Sequence, residues 1–178
     1  TQEWMSENLR TTKYSDGTSI PNVIGNTDWS SLSTGAWCNY DNSSSNGATY
    51  GKLYNWYAVN TNKLCPTGWH VPTDSEWTVL TDYLAADGHS GTEGTALKAT
   101  SGWNSGGNGT DDYGFLGLPG GSRNSDGGFS GIGYSGYWWS SSQDDTSFAW
   151  YRSLNYFVDV VYRNYYEAYG FSVRCLRD

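Results

Sequence analysis

The sequence predicts an α+β fold in which two helices pack against a small antiparallel sheet, with long loops. After an opening strand and turn, helical signals come first, and short strand-like runs fill the second half of the chain. Separation of helices from strands in this way is typical of α+β domains. With 178 residues, 17% of them aromatic, the chain can bury one hydrophobic core. We therefore predict a single domain over residues 1–178.

The N-terminal quarter predicts little regular structure. Residues 4–20 have the pattern of a strand and a turn, and Gly17 suits the turn because glycine tolerates positive φ. Residues 25–48 are rich in Ser, Asn, Thr and Gly, so we expect an irregular loop there.

A first helix is predicted over residues 50–59. Leu53, Trp56 and Tyr57 are spaced i, i+3 and i+4, which places them on one helical face. Aromatic residues at this spacing usually pack into a core. We therefore expect these three side chains to be buried.

A second helix is predicted more firmly by its first residues. Thr73 and Glu76 form a capping-box pattern, in which the threonine caps free amides and the glutamate reaches back. Trp77, Leu80 and Leu84 then follow at helical spacing and predict a buried stripe.

The rest of the chain predicts short elements separated by glycine-rich loops. The expected elements are a short helix at 95–100 and strands at 115–118, 137–141, 148–154 and 171–176. Trp138 and Trp139 are consecutive, and successive residues of a strand point to opposite faces. We therefore expect one of them in the core and the other lining a site.

Charge and hydropathy exclude two classes of partner. The net charge of −8 disfavours phosphate backbones and anionic membrane surfaces, so we predict no nucleic-acid binding. No apolar run reaches the roughly 20 residues that a spanning helix needs, so we predict no membrane insertion. Residues 1–5 read as the inside of a domain, and we expect the native N-terminus to have been removed.

Paired acids suggest two alternatives that we consider weaker than solvated turns. Asp111 with Asp112, and Asp144 with Asp145, could serve a glycosidase only at a defined separation and with split pKa values. Asn108 with Asp111 and Asp112 could supply oxygens to calcium, although the spacing is not that of an EF-hand. We predict no metal and no cofactor.

Other nucleophile and base candidates also have simpler explanations. His70 lies between Trp69 and Val71, and we interpret it as a hydrogen-bonded structural histidine. Residues 140–142 are serines without a histidine nearby in sequence, and no nucleophile-elbow pattern is present. We predict no catalytic residue and no enzyme activity.

The stretch from Tyr151 to Tyr169 has the composition of a recognition surface. Tyrosine provides a large amphipathic contact area, whereas Asn and Ser provide adaptable hydrogen bonds. Strict alternation of apolar and polar residues, which would indicate a plain core strand, is missing. We therefore predict that these tyrosines face outward into water.

Six motifs along the chain resemble the Fibrobacter succinogenes major paralogous domain family. They are residues 4–12, 53–59, 65–77, 118–123, 136–141 and 170–175. The family is similar to the C-type-lectin-like fold, in the branch of the formylglycine-generating enzymes. Residues 71–77 and 170–174 stand where that branch has its Leu-Pro-Thr-x-x-Glu-Trp and Gly-Phe-Arg motifs. The oxidase of that branch needs a copper-binding cysteine pair near the C-terminus, and only Cys175 is present, so the resemblance implies the scaffold without the activity.

The chain also resembles the variable proteins of diversity-generating retroelements, in which adenine-directed mutagenesis rewrites a C-terminal stretch. The resemblance implies a variable ligand-binding segment at residues 149–169, with a fixed frame of Ala149, Trp150, Arg152, Leu154 and Arg163. The candidate ligand-binding residues are Tyr151, Ser153, Asn155, Tyr156, Phe157, Asp159, Asn164, Tyr165, Tyr166, Glu167 and Tyr169. Asn codons changed only at adenines cannot encode Trp, Met, Gln, Lys or Glu, and Glu167 alone in the 151–169 stretch belongs to that set.

The cysteines leave more than one pairing open. Cys38, Cys65 and Cys175 could form one disulfide and one free thiol, or three buried thiols. We predict a Cys65–Cys175 disulfide with Cys38 free. The family resemblance implies an extracellular or cell-surface location.

These observations favour a binding module for an unknown protein or glycan. Hot spots are expected at Tyr151, Tyr156, Phe157, Tyr165 and Tyr166. One alternative is an adhesin or structural domain in which the aromatic strip contacts another domain. A cell-surface enzyme acting on glycans is the other alternative.

Overall fold

The computed structural model describes residues 1–145, 148–165 and 169–178, with the backbone alone for Asp145 and Tyr165. The strands are β1 (Trp37–Cys38), β2 (Leu53–Asn55), β3 (Trp69–His70), β4 (Gly120–Arg123), β5 (Phe129–Ile132), β6 (Ser135–Asp145), β7 (Phe148–Asn155), β8 (Tyr162–Tyr165), β9 (Gly170–Phe171) and β10 (Leu176–Arg177). The α-helices are α1 (Asn26–Ser30), α2 (Ser44–Tyr50), α3 (Trp56–Val59), α4 (Asp74–Leu84) and α5 (Glu93–Leu97). Short 3₁₀ turns lie at Tyr40–Asn42 and Asn104–Gly106, and one π turn at Ala85–His89 extends α4.

The predicted α+β class is confirmed, but the sheet is larger than expected. Eight strands among the described residues form one sheet in the order β1-β2-β9-β4-β6-β7-β8, with β5 paired to β4. The sheet is also mixed, because β4 and β6 are parallel at Gly121 and Gly136. A separate pair, β3 with β10, brings the last strand beside the start of α4.

Hydrophobic clusters cover both faces of the central strand β6. Trp139 belongs to a cluster with Ala149 and Phe171, whereas Trp138 belongs to another with Trp77 and Leu154. The exposed fractions of Trp138 and Trp139 are 1% and 0%. The expectation that one tryptophan lines a site was therefore wrong, because both faces of this strand lie inside the protein.

The sequence signals at α4 are confirmed. Thr73 Oγ1 accepts from the Glu76 amide at 3.2 Å, and the Glu76 carboxylate accepts from the Thr73 amide at 2.7 Å. Trp77 and Leu84 are buried, and Leu80 packs partly against the same cluster. Reciprocal capping of this kind satisfies amides that the first helical turn leaves without partners.

The predicted helix over residues 50–59 is only partly correct. Leu53 and Tyr54 lie in β2, and a helix of one turn, α3, begins at Trp56. Asn55 marks the change from strand to helix, because its side-chain oxygen accepts hydrogen bonds from the amides of Ala58 in α3 and Ala36 beside β2. Tyr57 is 42% exposed and does not share a buried face with Leu53.

Other boundaries also differ from the expectation. Residues 25–48, predicted as loop, contain α1 and the start of α2, and α1 is held by the buried Trp29. Residues 115–118 form no strand beyond an isolated bridge at Gly117. The closing run predicted as one strand is divided between β9 and β10, and the short helix predicted at 95–100 is observed as α5.

The C-terminal run joins distant parts of the chain through Arg174. This fully buried guanidinium donates to Asn8 Oδ1 at 2.6 Å and to the carbonyl oxygens of Phe115 and Leu116. Trp138 Nε1 donates to the same Asn8 oxygen at 2.8 Å. The N-terminal segment, the 115–116 loop and the central sheet are thus connected at one buried polar centre.

The predicted disulfide is confirmed. Cys65 and Cys175 are bonded with their Cα atoms 6.0 Å apart, and Cys38 is a buried free thiol. No helix within the described ranges is long and apolar enough to cross a membrane.

Candidate functional site

The C-terminal segment, residues 149–169, contributes the last two strands of the sheet order, and Tyr169 directly precedes β9. Strand β7 pairs with β6 on one side and β8 on the other, and β8 is the last strand in the sheet order. Ala149, Arg152 and Leu154 on β7 are buried. These three residues of the expected fixed frame therefore face the interior.

An acidic side chain from α4 holds the two framework arginines. Asp74 accepts from Arg152 Nη1 at 2.6 Å and from Arg163 Nε and Nη2 at 2.9 and 2.8 Å. The Arg163 guanidinium also lies over the Trp150 ring, 3.3 Å from its centroid. Since Arg152 is on β7 and Arg163 on β8, this contact fixes both strands to the first turn of α4.

The electrostatics of Asp74 favour its charged form. Burial would raise the pKa of Asp74, but hydrogen bonds from Arg163 and Arg152 outweigh burial and lower it. A carboxylate in the first turn of a helix is also favoured by the helix dipole. The frame is thus held by an ionised group across the neutral pH range.

Three tyrosines surround Phe171 and form what we call the tyrosine face (Tyr137, Tyr151 and Tyr169 with Phe171). The rings of Tyr137 and Tyr169 stack on Phe171 at centroid distances of 5.0 and 5.5 Å. Tyr151 packs against Phe171 at 4.7 Å. All three tyrosines are half-buried, so the expectation that the segment's tyrosines point fully outward does not describe Tyr151 or Tyr169.

Burial changes the chemistry of the middle tyrosine. Desolvation, with smaller contributions from Tyr137 and Tyr169, raises the pKa of Tyr151 to about 12. The phenol therefore stays protonated and can donate a hydrogen bond at neutral pH.

Polar residues of β7 and β8 continue this side of the sheet. Tyr151 is paired with Asn164, and Ser153 with Tyr162, and residues directly opposite in an antiparallel pair share a face. Asn164 is exposed and Tyr162 is 43% exposed, whereas Ser153 is buried at 7%. Ser153 therefore presents little surface to a ligand.

The connection after β7, which we call the 155–160 loop, carries the remaining described candidates. Asn155 is half-buried and donates to Ser135 Oγ at 3.2 Å. Tyr156 packs against the cluster of Trp138 and Leu154, on the other side of the sheet from Tyr151. Phe157 is 70% exposed.

The acidic candidate of this loop is already bonded. Asp159 is exposed, and its carboxylate accepts from Thr95 Oγ1 at 2.8 Å. The side chain of Tyr165, and the whole of Tyr166 and Glu167, lie outside the described residues.

Two neighbours of the segment were missed by the sequence reasoning. Tyr137 belongs to the tyrosine face, and Tyr134 is 45% exposed and contacts the Tyr156 ring at 5.2 Å. Tyr134 directly precedes β6 and Tyr137 lies near its start, and β6 pairs with β7. The sequence contains a signal for both residues, because they belong to the aromatic run just before β7. In an antiparallel pair, residues opposite one another share a face of the sheet.

The acids considered for calcium or catalysis are engaged within their own loop. Asn108 Oδ1 accepts from the Trp103 amide, Asp111 Oδ1 from the Leu116 amide and Asp112 Oδ2 from Thr110. The part of the chain that the structure describes contains no group of three or more His, Cys, Asp or Glu side chains placed to hold a metal ion. Asp144 is exposed at the end of β6, and the Asp145 side chain lies outside the described residues.

His70 joins the last residue to the capping box. Its ring contacts Asp178 Oδ1 at 2.7 Å and Glu76 Oε1 at 3.0 Å. Burial disfavours the charged ring, but these two carboxylates outweigh it and raise the pKa of His70. The contacts agree with the structural role expected from the sequence.

A separate cleft of about 470 Å³ lies between the N-terminal residues, α4 and the loop at Tyr113. Apolar side chains, among them Met5, Leu80 and Phe115, line it, and Tyr83 stands at its side. Its described lining residues all lie outside the C-terminal segment.

Comparison with known families places the whole chain in one of them. Residues 1–177 match the family model described as the Fibrobacter succinogenes major domain. The chain belongs to this family. No curated protein and no solved structure matches it.

For this Fibrobacter succinogenes major domain, the match confirms the resemblance that the six motifs predicted. It also includes the C-terminal segment and the motifs on either side of it. In this domain, Ala149, Arg152 and Leu154 are buried within the segment, whereas Phe157 and Asn164 lie at its surface.

Proposed function

We propose that this domain is a ligand-binding module. The tyrosine face, the exposed residues Tyr162 and Asn164, and Phe157 form its contact surface for a protein or glycan. Retroelement-directed mutagenesis diversifies the side chains of the C-terminal segment, while the frame keeps its shape. The proposal concerns binding, without catalysis.

One observation carries this proposal: residues 149–165 include buried framework positions and, apart from them, exposed positions that the core does not need. Ala149 and Leu154 are buried, and Arg152 is bound to Asp74, so changes at these positions would disturb the fold. Phe157 and Asn164 contribute little to the core, so their side chains can change at small cost to stability.

The chemistry of the surface suits recognition. Aromatic rings that are already packed lose little conformational entropy on binding, and their protonated hydroxyls provide hydrogen bonds. The described surface residues of the tyrosine face and β8, apart from Arg163, are uncharged. Arg163 is paired at 2.8 Å with Asp74, which also binds Arg152.

The finer description of the fold is part of the same proposal. We infer a C-type-lectin-like scaffold from the two motifs that carry the resemblance. In support, residues 73–77 form the capped start of α4, and Gly170–Phe171 forms β9 between β2 and β4. An extracellular or cell-surface location is supported by the Cys65–Cys175 disulfide, since disulfides persist in oxidising compartments.

The packing around Phe171 also favours a second candidate function. Rings that stack on a buried phenylalanine stabilise the domain, and such a strip could be a fixed contact with a neighbouring domain. In this adhesin or structural alternative, Tyr137 and Tyr151 would be constant, and no repeat of the segment's coding sequence would exist.

Sequencing the parent locus tests the proposal against this alternative. We expect a reverse-transcriptase gene and a near-identical template repeat covering residues 149–169. The repeat should differ from the coding copy at template adenines, and the affected codons should include those of Phe157 and Asn164. Codons for Ala149 and Leu154 should be the same in both copies. A locus without such a repeat, or with differences concentrated at the buried residues, would show that the proposal is wrong.

A further inference from the structure

A buried lysine outside the C-terminal segment contacts the 155–160 loop. Lys98 follows α5 and is only 2% exposed. Its ammonium group donates to the carbonyl oxygens of Asn155 at 3.3 Å and Val158 at 3.1 Å. The Trp103 ring lies 5.6 Å from the same nitrogen. Buried lysines are rare unless they are paired, so this side chain needs a structural reason.

Further contacts to the loop also involve its main chain. The Thr95 amide donates to the Asp159 carbonyl oxygen at 3.1 Å. Gly94 approaches so closely that an added Cβ would lie 2.7 Å from the Val160 carbonyl oxygen. Gly107 approaches Tyr156 in the same way, with an added Cβ 2.5 Å from its carbonyl oxygen.

We propose that Lys98 is a positioning residue that fixes the 155–160 loop through main-chain carbonyl groups, so that the loop keeps its shape when its side chains change. The role of the loop in ligand contact rests on the proposed function. The contacts of Lys98 with the loop carbonyl groups, which we call the clamp, do not depend on it. Every residue type has the same main-chain carbonyl oxygen. A donor that forms hydrogen bonds only with these oxygens therefore keeps its partners when the loop side chains change. Some contacts of the loop do use side chains, among them Asp159 with Thr95 Oγ1, Asn155 with Ser135 Oγ and Tyr156 with the cluster of Trp138.

The clamp explains how an exposed aromatic ring is held at a defined place. Phe157 lies between the two residues whose carbonyl groups Lys98 binds. A ring held by its backbone meets a partner with less loss of conformational entropy than a ring on a free loop. Lys98 would thus affect affinity without contacting the ligand.

Chymotrypsin provides a direct test, because it cleaves after Tyr156 and Phe157 when the loop opens. In Lys98→Met, the buried carbonyl groups lose a charged donor, and we expect cleavage at these two bonds to accelerate by at least about tenfold. Lys52→Met is the matched control. That lysine is half-buried and its ammonium group lies over the Trp37 ring rather than against the 155–160 loop, so its loss should leave the two bonds resistant.

A second clamp variant covers the case in which Lys98→Met does not fold. Gly94→Ala introduces a good helix former into α5 but places a methyl group against the loop carbonyls. We expect the same local cleavage, with a melting temperature that shows a folded domain. Cleavage at these bonds that is unchanged from wild type in a folded clamp variant would overturn the proposal.

Lysine acetylation, followed by mass spectrometry, tests whether Lys98 holds the 155–160 loop independently of the loop side chains. In the wild type, Lys98 should react at least about tenfold more slowly than the exposed Lys63. The double variant Phe157→Ser with Asp159→Ala should keep this protection, since both main-chain contacts of Lys98 remain. Loss of protection in that variant would show that side chains hold the loop, which would also overturn the proposal. If protection persists but Phe157 proves to be constant at the locus, the clamp stands and the proposed function fails.

Discussion

Arg152 and Arg163 lie directly opposite each other on β7 and β8. Like charges opposite one another normally destabilise an antiparallel pair. Asp74 removes the conflict because it binds both guanidinium groups from the first turn of α4. The pairing of β7 with β8 therefore depends on Asp74, which precedes Arg152 by 78 residues and Arg163 by 89 residues.

Neutralising this acid should destabilise the domain. In Asp74→Asn, Arg152 would remain buried without an opposite charge, and we expect a loss on the order of 3 kcal/mol in the free energy of unfolding. Glu3→Gln is the control, since Glu3 and Arg177 form a pair with both side chains more than half exposed. That change should cost less than about 1 kcal/mol. Equal effects in urea unfolding would contradict the role given to Asp74.

The tyrosine face and the 155–160 loop should respond differently to truncation. Tyr151→Ala removes a ring that packs against Phe171, and we expect a loss of roughly 2–4 kcal/mol. Phe157→Ala removes a ring that is 70% exposed, and its effect should stay within about 0.5 kcal/mol. Melting temperatures measured for both variants at one protein concentration check the contrast. A loss at Phe157 as large as that at Tyr151 would mean that the loop is part of the core.

The contacts of His70 predict a pH-dependent contribution to stability. Its pKa is raised in the folded state, so its stabilising effect is complete below the unfolded pKa of about 6.5 and disappears as pH rises through the folded pKa. We expect the wild type to exceed His70→Gln in melting temperature by more at about pH 5.5 than at about pH 8.5. A difference that is constant over this interval, or that grows with pH, would contradict the assignment.

The free thiol should be inert in the native protein. Burial raises the pKa of Cys38 to about 11, even though Arg123 and Lys52 favour the thiolate. We expect iodoacetamide to label no cysteine at neutral pH until the protein is unfolded, after which Cys38 alone should react. Labelling of Cys65 or Cys175 without reductant would contradict the disulfide.

Local signals allowed several elements to be predicted from the sequence. The start of α4 was predictable because Thr73 and Glu76 satisfy amides only three residues away. Strand β7 was predictable because its aromatic composition is typical of strands. In both cases, the deciding interactions lie close to the residues that signal them.

Tertiary contacts decided the elements that were mispredicted. Leu53 fits a helical spacing with Trp56 and Tyr57, but β2, which contains it, pairs with β1 on one side and β9 on the other. Trp139 could not be assigned to the interior from its own strand, because Phe171 and Ala149, which cover it, come later in the chain.

The candidate site was likewise only partly predictable from the sequence. Composition indicated where recognition residues concentrate, but it could not separate Tyr151, which packs on Phe171, from Phe157, which does not. The two residues lie on β7 and on the loop that follows it, and only the fold distinguishes their surroundings. Lys98 gave no sequence signal, since a lysine is usually exposed.

The bond between Cys65 and Cys175 has a practical consequence for a molecule cut once in the 155–160 loop. The two polypeptides would stay covalently joined, because one sulfur lies before the cut and the other after it. A nicked molecule would therefore migrate as a single species in a gel without thiol. The break would become visible only when dithiothreitol separates the long N-terminal fragment from the short C-terminal one.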